Sequence, residues 1–225
     1  MRIAPESRPF QAMALAAMPL VWWLAGPAWV VLPALVYLFV LFFFRDPVRP
    51  VPGGADLVLS PADGRVVHLV SVTDPIFQGG SAWRISIFLS LFDVHVNRVP
   101  QSGVVRRIRY SKGRFRAAFK GKASLENEQN RLDIETDEGP ISVTQIAGAV
   151  ARRIVCDVSE GETVTRGERF GLIRFGSRVD VLLPAGAHLM VGVGERVRAT
   201  ASVLARLPAR GEGSPSPEAG RALRS

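Results

Sequence analysis

Residues 10 to 44 carry no charged side chain and run from Phe10 through Met13, Leu20, Trp22 and Trp23 to Leu41 and the triple Phe42, Phe43, Phe44. The block exceeds the 7 to 15 residues of a secretory h-region and has no cleavage pattern behind it, which predicts a membrane segment that stays attached. Gly26 and Pro27 interrupt it, leaving legs of 16 residues (10 to 25) and 17 residues (28 to 44). Each leg is roughly 25 Å long at about 1.5 Å per residue, marginal for a hydrocarbon core of about 30 Å. Arg2 and Arg8 precede the block and Arg45 and Arg49 follow it, so the positive-inside tendency puts both ends on the cytoplasmic side. Trp22, Trp23 and Trp29 crowd the interruption. The pattern reads as a helical hairpin with its turn near the opposite interface, and a single tilted span is the alternative.

Everything after this block has a different period. Residues 45 to 55 (RDPVRPVPGGA) hold three prolines and two glycines, the chemistry of a linker. A soluble domain is expected over 56–209, with short alternating strands at 65 to 72, 83 to 90, 103 to 110, 131 to 136, 141 to 148, 152 to 158, 169 to 175, 179 to 183 and 200 to 206. Asp137, Glu138, Gly139 and Pro140 supply a hairpin turn, and Gly161 and Gly167 flank another connection. No long segment of 3.6 period occurs. The expected class is mainly β, a β-rich α+β chain whose barrel-sandwich-like soluble domain follows an N-terminal hydrophobic helical membrane segment. Residues 1 to 9 form a short basic lead, and 210 to 225 (RGEGSPSPEAGRALRS) offer too little to bury and read as disordered.

A net charge of +8 implies an anionic partner. Its distribution narrows the choice, because Arg106 to Lys122 carries eight basic residues and no acid, and the same chain has the apolar block. An anionic membrane surface satisfies both features. Nucleic acid is set aside for want of a recognition motif. The single Cys156 excludes an internal disulfide and, in the run Ile154, Val155, Cys156, reads as a core thiol. One cysteine and three scattered histidines make no usual structural zinc site, so no metal is expected.

Gly176-Ser177 by itself is a turn between two strands. Its context is Gly171-Leu-Ile-Arg-Phe-Gly-Ser-Arg-Val-Asp-Val-Leu-Leu-Pro184, preceded in order by four other blocks. These are Ser60-Pro-Ala-Asp63-Gly64, Phe92-Asp-Val-His95-Val-Asn-Arg98-Val-Pro100, Tyr110-Ser-Lys-Gly113 with Lys122-Ala-Ser-Leu-Glu-Asn-Glu-Gln-Asn130, and Gln145-Ile-Ala-Gly148 leading into Ala151-Arg-Arg-Ile154. Collinear over most of the chain, they resemble the short, bacterial and archaeal form of phosphatidylserine decarboxylase. The resemblance implies a self-cleaving proenzyme, cut between Gly176 and Ser177 into residues 1–176 and 177–225, which stay together as a heterodimer and leave a higher oligomer open. It also implies that Ser177 becomes a covalent pyruvoyl group that forms a Schiff base with the serine amine of an anionic phospholipid in the cell (inner) membrane, yielding phosphatidylethanolamine.

The chemistry explains the residue types. Ser177 Oγ must reach the Gly176 carbonyl carbon, and a side chain at 176 would crowd that attack. Loss of carbon dioxide from an amino acid needs an electron sink that ordinary side chains lack, and a ketone supplies it. His95 is the candidate for proton transfer, and Asp63 could orient a base or assist cleavage, although Asp-Gly is also an ordinary turn. Longer members of the family carry a second histidine three residues after the first, where this chain has Arg98, and arginine is no base at neutral pH. His68 and His188 read as structural. Arg174 and Arg178 bracket the cleavage site, either to hold a lipid phosphate or carboxylate or as a solvated strand face. Two other readings compete: decarboxylation of a related serine ether lipid of archaetidylserine type, and a membrane-anchored carrier module. The latter rests on Val191-Gly-Val-Gly-Glu-Arg-Val, which resembles lipoyl and biotinyl domains but has no lysine to carry a cofactor.

Overall fold

A computed structural model describes residues 1–113, 127–148, 153–174 and 177–208. Gly176, the C-terminal tail, and the parts of the basic run and of the quoted blocks that fall in 114–126 and 149–152 lie outside the described residues.

The chain opens with β1 (Arg2–Ile3), α1 (Arg8–Ala25), α2 (Val31–Phe43) and β2 (Arg45–Asp46). Gly26, at φ +89, ends α1 and turns the chain. β1 then pairs antiparallel with β2, Arg2 opposite Asp46, so the two legs form a hairpin with its ends together. The expected membrane-spanning segment is not met: among the described residues no helix is long and apolar enough to cross a membrane. The 18 residues of α1 include Pro19, and the 13 of α2 span only about 20 Å.

The body comprises β3 (Leu57–Leu59), β4 (Gly64–Thr73), β5 (Ser81–Leu89), β6 (Val96–Arg98), β7 (Gly103–Ser111), β8 (Gln129–Thr136) and β9 (Gly139–Ala147). It continues with β10 (Ile154–Cys156), β11 (Thr163–Val164), β12 (Arg169–Ile173), β13 (Ser177–Pro184), β14 (His188–Leu189), β15 (Arg196–Val197) and β16 (Val203–Arg206). The domain is thus mainly β. One eight-stranded sheet runs β11-β7-β8-β9-β13-β5-β4-β15, and two three-stranded sheets, β10-β12-β6 and β14-β16-β3, accompany it.

Alternation decides which face is the core. Val179, Val181 and Leu183 of β13 pack with Ile85 and Ile87 of β5 and Ile141 and Val143 of β9 in one apolar cluster. Arg178, Asp180 and Leu182 point the other way, yet they too are buried, so the central strand is covered on both faces. The large sheet is strongly curled. Arg131 of β8 bonds both oxygens of Asp74, just past β4, at 2.6 and 2.7 Å, although four strand spacings of about 4.8 Å would hold them roughly 19 Å apart in a flat sheet.

The predicted strands fall on observed ones, with ends that differ by at most three residues. Residues 152 to 158 contract to Ile154–Cys156, and 200 to 206 contract to Val203–Arg206 because Thr200 turns at φ +70. Strands β3, β6, β11, β14 and β15 hold only two or three residues each, too few for an alternating pattern to register. Cys156 is half-buried at the edge of the core, and burial raises its thiol pKa.

Candidate active site

Four strand ends meet at one edge of the large sheet. Ser177 opens β13, opposite Leu89 at the end of β5 and Ala147 at the end of β9. β4 begins beside them at Gly64, immediately after Asp63. Gly64 has φ +156, and a Cβ there would lie 2.1 Å from the Phe88 carbonyl oxygen. Asp63-Gly64 is therefore more than a turn: glycine lets β4 press against β5 and sets Asp63 at this edge.

Ser177 is fully buried between two apolar neighbours, and its Oγ has no hydrogen-bond partner among the described residues. That is the costly state of a hydroxyl, worth about 1–3 kcal/mol of desolvation.

His95 reaches the same edge by two chain paths. From Leu89 a tight turn, in which Asp93 Oδ2 accepts from Ser90 N and Oγ at 2.8 and 2.6 Å, leads to it within six residues. From the other side Ile173, four residues before Ser177, donates its N–H to the His95 carbonyl at 3.3 Å. The His95 side chain is inaccessible. Nδ1 lies 2.9 Å from the Asp93 carbonyl oxygen, which can only accept, so Nδ1 carries the proton and Nε2 keeps its lone pair. Burial pushes the imidazole pKa down to about 4; Arg45 adds to the fall, while the Asp93 bond and the charges of Asp93 and Asp63 oppose it. At neutral pH His95 is thus an uncharged base.

The hairpin closes the edge. The Phe43 ring lies 4.2 Å from the His95 ring, and Phe43 and Phe44 are buried with Val94, Val96 and Leu172. Arg45 donates to the Phe92 carbonyl at 2.6 Å.

Asp63 touches neither Ser177 nor His95 through a hydrogen bond. Arg49 grips its carboxylate with both terminal nitrogens, at 2.5 and 2.7 Å, and the Ala199 N–H donates at 2.8 Å. Its influence on His95 is electrostatic. Arg98, standing where longer relatives carry histidine, ion-pairs with Asp46 and donates to the Gly167 carbonyl at 3.2 Å, tying β2 to the body. Arg178 is not a solvated strand residue: it is 1% exposed and paired with Asp180 at 2.8 Å. Arg174 lies over the Phe10 ring at 5.4 Å. Of the two remaining histidines, His68 lies on the outer face of β4, opposite Ser86, and His188 is exposed on β14.

Three residues were not singled out by sequence reasoning. Arg49 lies in a proline-rich linker, where nothing signals a partner for Asp63. Asn97 and Gln145 sit inside the quoted blocks and join in a buried amide chain, Gln145 Nε2 donating to Asn97 Oδ1 at 2.9 Å and Asn130 Nδ2 to Gln145 Oε1 at 3.2 Å.

Comparison with known proteins gives the family. The family model for phosphatidylserine decarboxylase matches residues 36–205. The chain belongs to the phosphatidylserine decarboxylase family. A phosphatidylserine decarboxylase proenzyme of Aromatoleum aromaticum is 47% identical over 92% of this chain and 96% of the relative. Those of Nitrosomonas europaea and Paraburkholderia phymatum are 50% and 46% identical, over 90% and 91% of this chain and 94% and 97% of the relatives. The segment that invited a carrier reading, 191 to 197, falls within the residues matched to the phosphatidylserine decarboxylase family.

Proposed function

We propose that this chain is made as a proenzyme, cuts itself between Gly176 and Ser177, and decarboxylates phosphatidylserine to phosphatidylethanolamine at a pyruvoyl group derived from Ser177. The observation that carries this reading is the buried, unpartnered Ser177 Oγ at the first position of the central strand. In a cleavage step, Ser177 Oγ attacks the Gly176 carbonyl carbon and the amide nitrogen leaves protonated, giving an ester. β-Elimination then breaks the Cβ–O bond, releases Gly176 as a carboxylate and leaves dehydroalanine, which takes up water and loses ammonia. The residues fit the product: Ala147 and Leu89 on either side make a dry, apolar slot in which a ketone escapes competing hydration.

When formed, the pyruvoyl ketone supplies the sink for the electrons of the broken carbon–carboxylate bond. His95 accepts or returns a proton at Nε2, held in that tautomer by Asp93. Asp63, fixed by Arg49, contributes negative charge at the same edge and favours protonation of His95. The two products, 1–176 and 177–225, remain one heterodimer because β13 keeps eight residues in register with β5 and six with β9.

The hairpin supports a membrane-bound reading on the cytoplasmic face of the inner membrane. Trp23 is 81% exposed, and Met13, Trp22, Trp29, Leu35 and Leu38 are all more than half exposed. Such a surface lies in a lipid interface rather than across it. The wild-type chain should float with vesicles containing phosphatidylserine, and replacing Trp22 and Trp23 by serine should cut the floated fraction several-fold; equal flotation of the variant removes the hairpin as the anchor.

Intact mass of the purified protein tests the reaction. Two chains are expected, the smaller holding 49 residues (225 − 177 + 1) and no free amino terminus, with turnover blocked by borohydride. A single uncut chain that turns over lipid would end the proposal.

A further inference from the structure

The face of the large sheet turned away from the core carries a concentration of unsatisfied polar atoms. Across β13, Asp180 is flanked by Ser86 of β5 and Thr144 of β9, and Leu182 is flanked by Arg84 and Ser142. His68 of β4 lies opposite Ser86. Four of these side chains present a buried polar atom with no hydrogen-bond partner among the described residues: His68 Nε2, Arg84 Nε, Ser86 Oγ and Ser142 Oγ. Folded proteins leave few such atoms, and four on one face mark a surface completed by something polar from outside the chain.

The face borders a cavity of about 330 Å³ lined by Asp74, Arg84, Arg109, Arg131, Thr144 and Asp180 among others. That volume lies at the lower end of small-ligand sites, which start at about 300 Å³. Its charges are mostly spoken for. Arg131 binds Asp74 and Asp133, Arg109 binds Asp133, and Arg178 binds Asp180. Four guanidinium groups face three carboxylates, and Arg84 is the one left without an acidic partner among the described residues. The unfilled group that lines the cavity is a donor, the Arg84 fork, and the Ser86 and Ser142 hydroxyls lie on the same sheet face on either side of β13.

We propose that this cavity is a second binding site, for a phosphate group, with Arg84 as its anchor and the Thr144 hydroxyl as a further donor. A tetrahedral oxyanion meets donors arriving from several directions, and the arginine fork suits it better than a point charge would. The site is separate from the reacting centre. Leu182, the cross-strand partner of Arg84, is five residues from Ser177 along β13, about 17 Å at about 3.3 Å per residue. Alternation also sets Ser177 on the core face of β13 with Val179, whereas Asp180 and Leu182 line the cavity from the opposite face, so the two sites lie on opposite sides of the sheet.

Calorimetric titration of the wild-type protein with inorganic phosphate tests the proposal. Saturable binding of one phosphate per chain is expected, weakened at least tenfold in Arg84→Met. It should be weakened less in Arg84→Lys, which keeps the charge but not the fork, and several-fold in Thr144→Val, which removes the hydroxyl and keeps the side chain's shape. Displacement by O-phosphoethanolamine identifies a soluble phosphate ester as the occupant. Displacement only by a short-chain phosphatidic acid identifies a lipid headgroup. Both support a phosphate site. Absence of saturation at millimolar phosphate, or equal binding by wild type and Arg84→Met, means that water serves these atoms and overturns it. Decarboxylation without added phosphate should be unchanged in Arg84→Met; its loss would place Arg84 in the reaction and refute a separate site.

Discussion

Ser177→Ala is expected to yield a folded, uncut chain of 225 residues with no measurable decarboxylation. The substitution removes one oxygen atom that makes no hydrogen bond among the described residues, from a side chain buried between Ala147 and Leu89. Deleting an orphan hydroxyl should leave the unfolding free energy unchanged or raise it by about 1 kcal/mol. Turnover, in contrast, should fall by about 10⁴-fold or more, to assay background, because both the nucleophile and the source of the ketone are lost. The two readouts separate chemistry from stability. An alanine variant that unfolds at the wild-type denaturant concentration, stays whole by mass and is inert locates the reaction at this oxygen. A variant that is still cut, or still active when whole, moves the processing site elsewhere.

The strands were legible because β5, β8, β9 and β13 alternate for eight or nine residues, long enough for period two to stand out. What lay on their far face was not. Arg178 and Asp180 in alternation look like a solvent-facing row, and only the curl of the sheet, with Arg131 reaching Asp74, turns that row inward. The apolar block was legible as two legs broken at Gly26, but its second leg is shorter than the sequence suggested, because α2 begins only at Val31. At the site, residue types pointed to Ser177, His95 and Asp63, and the fold brings all three to one edge of the sheet. Their partners were illegible. Arg49 comes from a linker and Phe43 from the apolar block, and neither position carries a local pattern that names its target. Arg98 has a structural task that no local pattern announced: its side chain is committed to Asp46, holding the hairpin that lays Phe43 on His95.

His95→Ala is expected to lower kcat by about 10²- to 10⁴-fold, the usual worth of a positioned acid–base group, with a smaller change in KM. Because alanine leaves a void beneath Phe43, His95→Gln serves as the fold control: it keeps the volume but not the proton chemistry. The pH profile gives the sharper test. Burial holds the His95 pKa at about 4, against about 6.5 for an unperturbed imidazole. In the wild type the unprotonated base therefore persists well below pH 6.5, and its acidic limb should fall near pH 4 rather than near 6.5. Linkage runs in the same direction. Between about 6.5 and 4 the unfolded chain binds a proton at this position that the folded chain does not. His95 thus contributes stability fully above pH 6.5, and that contribution declines as pH falls through this window. Both the acidic limb and this part of the stability loss should vanish in His95→Gln. The remaining measurement is cleavage itself. If the glutamine variant is cut at the wild-type rate yet fails to turn over, His95 serves decarboxylation alone and cleavage draws on other groups near Ser177. If it stays whole, one imidazole covers both steps, compensating for the arginine at 98. A variant that cuts normally and retains substantial turnover would remove His95 from the mechanism altogether.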